Sequence, residues 1–87
     1  MYLHLGQSTV IIAETVIGMF DIDKTTVSQR ARDYLSFAQK AGKIINVSQE
    51  LPRSFIVTDD GTVYISQLAV STLFNRMNQS SLLSSGL

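Results

Sequence analysis

Residues 51–66 read LPRSFIVTDDGTVYIS, and this stretch decides the fold because it predicts two strands joined by a tight turn. Residues 54–58 and 62–66 are rich in β-branched and aromatic side chains, which suit a pleated surface. Between them, Asp59-Asp60-Gly61 forms a three-residue loop whose glycine can adopt the positive φ that such a hairpin needs. Pro52 cannot donate a ladder hydrogen bond, so the first strand begins after it.

Both faces of this predicted hairpin carry apolar side chains. Successive side chains of a strand point to opposite faces, so Phe55 opposes Ile56 and Val63 opposes Tyr64. Two apolar faces indicate that both are covered: one by the protein's own helices, while a second subunit could cover the other. The predicted core side comprises four hairpin residues and one residue from each helix: Phe55, Val57, Val63, Ile65, Leu35 and Phe74.

Three short strands are predicted before the first helix, over residues 2–5, 9–13 and 15–20. A turn or a short helical turn at Glu14 separates the second strand from the third. Gly18 interrupts the third strand and is typical of a bulge or a close backbone approach.

The clearest predicted helix begins at Thr25 or Thr26, either of which suits an N-cap, and ends before Gly42, which suits the C′ position. Its apolar residues recur at three- and four-residue spacing and form one stripe: Val27, Ala31, Tyr34, Leu35, Ala38 and Ala41.

The chain closes with a strand over residues 43–47, the hairpin, and a second, shorter helix over residues 68–77 or from a cap at Ser71. This order is typical of an α+β domain with a mostly antiparallel sheet and one long and one short helix packed on one face of it. We predict a single domain over residues 1–77 and a flexible serine-rich tail over residues 78–87.

Composition excludes several classes of protein. The 87 residues make one small domain, and the absence of cysteine excludes disulfides and thiolate metal sites. No apolar run approaches the roughly 18 residues of a membrane span, so we expect no membrane partner. The first residues lack a basic region followed by an apolar core, which favours a cytoplasmic protein.

Charge is scarce and unevenly distributed. Charged residues are 16% of the chain, against about 25% in a typical domain, which favours self-association over a bland monomer surface. Residues 24–53 carry six basic and two acidic side chains, a net charge of +4, whereas residues 1–23 carry a net charge of −3. This asymmetry indicates an anionic partner.

Residues typical of enzyme sites are scarce as well. His4 is the only histidine, and a lone histidine near a terminus is usually structural or exposed. Asp59-Asp60 before a glycine is ordinary turn chemistry rather than a cation site. No glycine-rich phosphate loop occurs. The sequence therefore predicts a protein that is not an enzyme and takes no cofactor, metal or small-molecule substrate.

Four basic residues form the candidate DNA-binding site: Arg53, Arg30, Arg32 and Lys43. A solvated helix face is the plain interpretation of Arg30 and Arg32, which lie off the apolar stripe. The functional interpretation is contact with phosphate, because arginine matches phosphate oxygens bidentately and lysine supplies a point charge. Arg53 differs from the others because it follows Pro52 at the start of a strand, on a rigid support.

Several segments resemble the extracellular-matrix regulatory protein family RemA/RemB, over about residues 1–77. The segments that carry the resemblance are YLHLG at 2–6, KII at 43–45, PRSFIVTDDGTVYIS at 52–66 and TLFNR at 72–76. The MYLHLG opening and the acidic turn look closer to the RemB branch. The resemblance implies a DNA-binding transcriptional regulator of biofilm-matrix genes, and in the RemA branch it implies closed rings whose basic surface engages DNA.

The chain departs from the RemA pattern in the loop before the hairpin, where neighbouring arginines are replaced by Glu50 and Leu51, and at a further basic position that reads Thr15. Two hypotheses therefore stand. In the first, the protein is a ring-forming homo-oligomer that binds double-stranded DNA. In the second, it is an oligomeric structural or partner-binding protein that has lost DNA binding.

Overall fold

The computed structural model describes residues 1–22 and 29–85, without the side chains of residues 31 and 79–85. The elements follow the predicted order, with a 3₁₀ turn at Ala13–Thr15 between the second and third strands. The strands are β1 Tyr2–Gly6, β2 Thr9–Ile12, β3 Val16–Asp21, β4 Ile44–Asn46, β5 Ser54–Thr58 and β6 Val63–Ser66, and the helices are α1 Gln29–Lys40 and α2 Val70–Ser85.

The α+β class is confirmed, but the prediction of one sheet is wrong. Strands β1 and β2 pair antiparallel in a separate two-stranded ribbon. The other four strands lie in the order β3-β5-β6-β4, with antiparallel β3–β5 and β5–β6 pairs and a parallel β4–β6 pair. The ribbon is separate because it buries Leu3 and Leu5 in one core with Ile56 of the four-stranded sheet, instead of extending an edge of that sheet.

The helices pack on opposite faces of the four-stranded sheet, not on one face as predicted. On the face that carries Ile56, the ribbon and α2 close the larger core. On the other face, Ala38 of α1 packs with Val57 and Val63, and Leu35, Ile44 and Phe55 adjoin them. The chain itself therefore covers both faces of the hairpin, and neither face requires a second subunit.

The predicted core partners are confirmed for α1 and wrong for α2. Leu35 packs beside the buried pair Val57 and Val63, as expected. Phe74, however, is 50% exposed, while its neighbour Leu73 is fully buried in the core that contains Ile56. The reason is the side from which α2 approaches, since it packs on β1 and β3 across the face opposite to Val57 and Val63.

Two predicted glycine roles are confirmed by backbone geometry. Gly42 has a φ of 71°, and its N–H donates to the Gln39 carbonyl at 3.1 Å while the Lys43 N–H donates to the Ala38 carbonyl at 2.9 Å. This pair of bonds is the Schellman arrangement that ends a helix. In the hairpin, Gly61 has a φ of 86° and the Thr58 N–H donates to the Thr62 carbonyl at 3.0 Å.

The helix boundaries differ from the predicted ones. The predicted N-caps Thr25 and Thr26, and Val27 of the apolar stripe, lie outside the described residues. Helix α2 spans Val70–Ser85, so it begins two residues later and ends eight residues later than the predicted helix over residues 68–77. It continues past Met77 because no glycine or proline interrupts residues 70–85. The division into a domain over residues 1–77 and a flexible tail over residues 78–87 stays a prediction.

Candidate functional site

Arg53 lies directly before β5 and is held by the two neighbouring strands. Its N–H donates to the Ser66 carbonyl at 2.8 Å, and its carbonyl accepts from the Ile22 N–H at 2.9 Å. Its side chain is exposed, and within residues 1–22 and 29–85 its guanidinium makes no hydrogen bond or ion pair. Arg53 thus presents an unengaged guanidinium from a fixed backbone position, as its place beside Pro52 predicts.

Lys43 lies at the opposite end of the four-stranded sheet from Arg53. It precedes β4 beside Val63, whereas Arg53 lies beside Ser66, at the other end of β6. The five residues of β5 separate the two ends by about 17 Å. The Lys43 ammonium donates to the Asp60 carbonyl at 2.6 Å, so its charge is directed toward the acidic turn.

Arg30 and Arg32 lie on different sides of α1. Both side chains are exposed. Two residues along an α-helix correspond to a rotation of about 200°, so the two guanidinium groups leave the helix in nearly opposite directions. A single chain therefore does not bring the four predicted basic residues together on one surface.

The loop that leads to Arg53 also carries the residues that replace the expected arginines. Glu50 is exposed, and its N–H donates to the Ser48 hydroxyl at 3.0 Å. Leu51 is 83% exposed, the largest exposure among the large apolar side chains of the described residues. A negative charge and an uncovered apolar side chain therefore flank the candidate arginine.

The acidic turn is held by hydrogen bonds of the kind that turn chemistry predicts. The Asp60 carboxylate accepts from the Thr58 hydroxyl at 2.7 Å and from the Thr62 N–H at 3.0 Å. These bonds, with a smaller contribution from the charge of Lys43, lower the pKa of Asp60 to about 2. No cluster of three or more metal-ligating side chains occurs among the described residues.

Exposed apolar side chains form a second kind of surface, which the sequence reasoning did not assign. On the outer face of the ribbon, Tyr2 pairs with Ile12 across the strands and is 69% exposed. In β3 a bulge shifts the register between Val16 and Gly18, which leaves Ile17 unpaired and 68% exposed. This confirms the bulge predicted at Gly18. The alternation in YLHLG was the available signal for the ribbon, because it leaves Tyr2 opposite the buried Leu3 and Leu5.

One further aromatic residue of this kind lies on α1. Phe37 is 74% exposed on the helix surface that does not face Val57 and Val63. A soluble helix usually turns such a ring inward, so its exposure indicates that α1 has a second apolar side.

The fold and these surfaces define a small α+β domain with two sheets, dispersed arginines and several uncovered apolar side chains. None of its described helices is long and apolar enough to cross a membrane. The chain belongs to the RemA-like family, described as extracellular matrix regulatory protein A-like, which matches residues 2–77. It is similar to extracellular matrix regulatory protein B of Bacillus subtilis (strain 168), with 32% identity over 76 residues that cover 87% of this chain and 89% of that protein.

The resemblance seen in the sequence is thereby confirmed, and all four predicted site residues fall within the matched range. The family is one of extracellular matrix regulatory proteins. The roles of Arg53, Arg30, Arg32 and Lys43 stay predictions.

Proposed function

We propose that this protein is a cytoplasmic, non-enzymatic, homo-oligomeric regulator of extracellular-matrix genes that binds double-stranded DNA. The observation that carries the proposal is the geometry of Arg53, a charged fork on a backbone held by both neighbouring strands, with no partner among the described residues. Because the backbone of Arg53 is already fixed, a charge-assisted contact with phosphate has to order only the side chain, at a cost of about 0.5–1.5 kcal/mol.

Assembly is part of the proposal because one chain offers too few phosphate contacts to bind DNA usefully. Its basic residues point in different directions, and Arg53 alone supplies one phosphate contact. A closed ring of identical subunits repeats that contact around its circumference, so weak contacts add up to useful avidity. Arg32 adds a phosphate contact with little sequence information, whereas Arg30 leaves α1 in nearly the opposite direction. Lys43 contributes less, since its ammonium is bonded to the Asp60 carbonyl.

A second candidate function is that of an oligomeric structural or partner-binding protein that has lost DNA binding. The observation in its favour is Glu50, an exposed negative charge in the loop that carries Arg53. The zero net charge of the chain points the same way, because DNA-binding surfaces are usually rich in positive charge.

The test combines light scattering with mobility shifts on long duplex DNA at several salt concentrations. We expect the parent protein to form an oligomer of its 9.6 kDa chain and to bind duplex DNA in a salt-dependent way. Arg53→Ala should keep the oligomer and lose most of the affinity, whereas Lys40→Ala, which removes the same charge from the end of α1, should retain it.

The outcomes separate the two candidates. An oligomer that fails to bind duplex DNA even at low salt supports the second candidate. If Arg53→Ala and Lys40→Ala lost the same affinity for DNA, the loss would come from the change in net charge alone. That result would refute the assignment of Arg53 to the DNA-binding site. A parent protein that stays monomeric at micromolar concentration refutes both candidates.

A further inference from the structure

Helix α1 carries a second row of side chains besides the one that packs on the sheet. Arg30, Tyr34 and Phe37 follow the i, i+4, i+7 spacing of residues that share one side of a helix, and we name them the outer stripe. All three are exposed, while Leu35 and Ala38 face the sheet. Two aromatic rings behind one guanidinium form a surface suited to a groove with both apolar and acidic walls.

Such a groove lies between β2 and the hairpin turn, with a volume of about 220 Å³. Val10 and Ile12 form its apolar wall, and Asp59 and Asp60 form its acidic wall. We name it the acidic groove. Its two walls are held together because the Asp59 N–H donates to the Thr15 carbonyl at 2.8 Å. Val10 and Ile12 are both more than 40% exposed, so the apolar wall is uncovered in the single chain.

The charges of the acidic groove leave Asp59 available. The Asp60 carboxylate is occupied by Thr58 and Thr62, and the Lys43 ammonium lies against the same turn. The Asp59 carboxylate makes no hydrogen bond or ion pair within the described ranges. It is therefore the group that would gain most from an arginine, through a charge-assisted bond.

From these two surfaces we infer that the outer stripe of one copy docks into the acidic groove of a second copy, with Phe37 against Val10 and Ile12 and Arg30 beside Asp59. The inference rests on the self-association in the proposed function and adds which surfaces meet. The stripe belongs to the helix on the Val57 face of the sheet, and the groove adjoins the ribbon on the Ile56 face, so each copy offers both at once. Such a head-to-tail contact closes into a ring or extends into a filament.

The first test exploits the two-sided nature of this contact. Phe37→Asp should prevent docking through the outer stripe, and Ile12→Asp should prevent docking into the acidic groove. Each variant alone should therefore be monomeric by light scattering. A one-to-one mixture should form heterodimers and nothing larger, because the first variant still has its groove and the second still has its stripe. A contact between two identical surfaces predicts no such rescue.

Two controls exclude a general effect of an added negative charge and unfolding of the variants. Leu51→Asp adds the same charge at an apolar side chain that is 83% exposed and outside both surfaces, and it should keep the parent's oligomeric state. Circular dichroism should show that every variant remains folded. Dissociation of Leu51→Asp to the same extent would overturn the inference.

The second test examines the charge pair. Arg30→Glu and Asp59→Arg should each weaken association about tenfold or more, and the double variant should recover most of that loss, because the pair is restored in reverse. If the double variant lost as much association as the two single variants combined, the pairing of Arg30 with Asp59 would be overturned.

The results also distinguish this inference from the proposed function. If the parent oligomerises and both Phe37→Asp and Ile12→Asp stay oligomeric, the docking inference fails and self-association stands. If the parent is a monomer, both fail.

Discussion

Ser66 connects the two sheets: its hydroxyl donates a 2.6 Å hydrogen bond to the backbone carbonyl of Leu5, which lies 61 residues earlier in the chain. The same oxygen accepts from the Leu68 N–H at 3.0 Å. Ser54, its partner across the β5–β6 pair, donates to the Leu68 carbonyl at 2.8 Å. Both serines are fully buried, so this junction of ribbon, hairpin and the segment before α2 is a closed polar network inside an apolar core.

The first prediction concerns this junction. Ser66→Ala removes the partners of the Leu5 carbonyl and the Leu68 N–H, and we expect a loss of unfolding free energy on the order of 2 kcal/mol. Urea denaturation at matched protein concentration measures the loss. Ser36→Ala on the exposed surface of α1 is the control and should leave the midpoint unchanged. An unchanged midpoint for Ser66→Ala would mean that the junction contributes nothing.

The second prediction compares two neighbours on α2. Leu73→Ala should lower the free energy of unfolding by about 2–5 kcal/mol, because Leu73 is fully buried and its removal leaves a cavity. Phe74→Ala should cost less than about 1 kcal/mol, since half of that side chain already contacts water. Thermal unfolding of the two variants side by side measures the difference. If Phe74→Ala lost more stability than Leu73→Ala, Phe74 rather than Leu73 would face the core, and the prediction would be wrong.

The third prediction is a dependence on acid. Because the pKa of Asp60 is lowered to about 2 from its ordinary value of 3.8, its carboxylate stabilises the fold above pH 3.8. That contribution is lost as the pH falls through about 2. Asp60→Asn, which cannot titrate, should flatten the fall in stability over this window.

Acid unfolding followed by circular dichroism checks the dependence on Asp60. Glu50→Gln is the matched control, because the exposed Glu50 carboxylate lies outside the acidic groove and makes no hydrogen bond within the described residues, and it should keep the parent's profile. Identical acid profiles for the parent and Asp60→Asn would contradict the prediction.

The fourth prediction concerns the charge beside Arg53. Glu50→Arg should strengthen binding to duplex DNA of any sequence, because it replaces a repelling charge with an attracting one, and should steepen the salt dependence by roughly one phosphate contact per engaged subunit. Glu50→Gln removes the repulsion alone and should lie between the parent and Glu50→Arg. Mobility shifts at several salt concentrations measure both effects. Equal affinity of all three proteins would place this loop away from DNA.

Local patterns allowed several elements to be predicted from the sequence. The hairpin, the end of α1 at Gly42 and the bulge at Gly18 each depend on a few adjacent residues whose backbone preferences act before any packing. The bulge, however, had a consequence that no local pattern shows. It moves Val16 to the face of Met19 and expels Ile17, because the register shifts by one residue.

The candidate site was only partly open to prediction. The fixed backbone position of Arg53 follows from Pro52 and the strand start, and its backbone hydrogen bonds agree with that expectation. The separation of Lys43 from Arg53 depends on the parallel pairing of β4 with β6, which puts the two residues at opposite ends of the sheet. Strand pairing is a non-local property, so residue types and spacing along the chain do not reveal it.

The sequence by itself determined the α+β class, the two apolar faces of the hairpin and the membership of the family, because these follow from residue types and short spacings. Only the tertiary structure decided what covers each face: α1 on the side of Val57, and the ribbon with α2 on the side of Ile56. Alternation along a strand predicts that two faces exist, but it does not predict which element packs on each face. That choice is made by packing between segments far apart in the chain, and it buries Leu73 while leaving Phe74 in water.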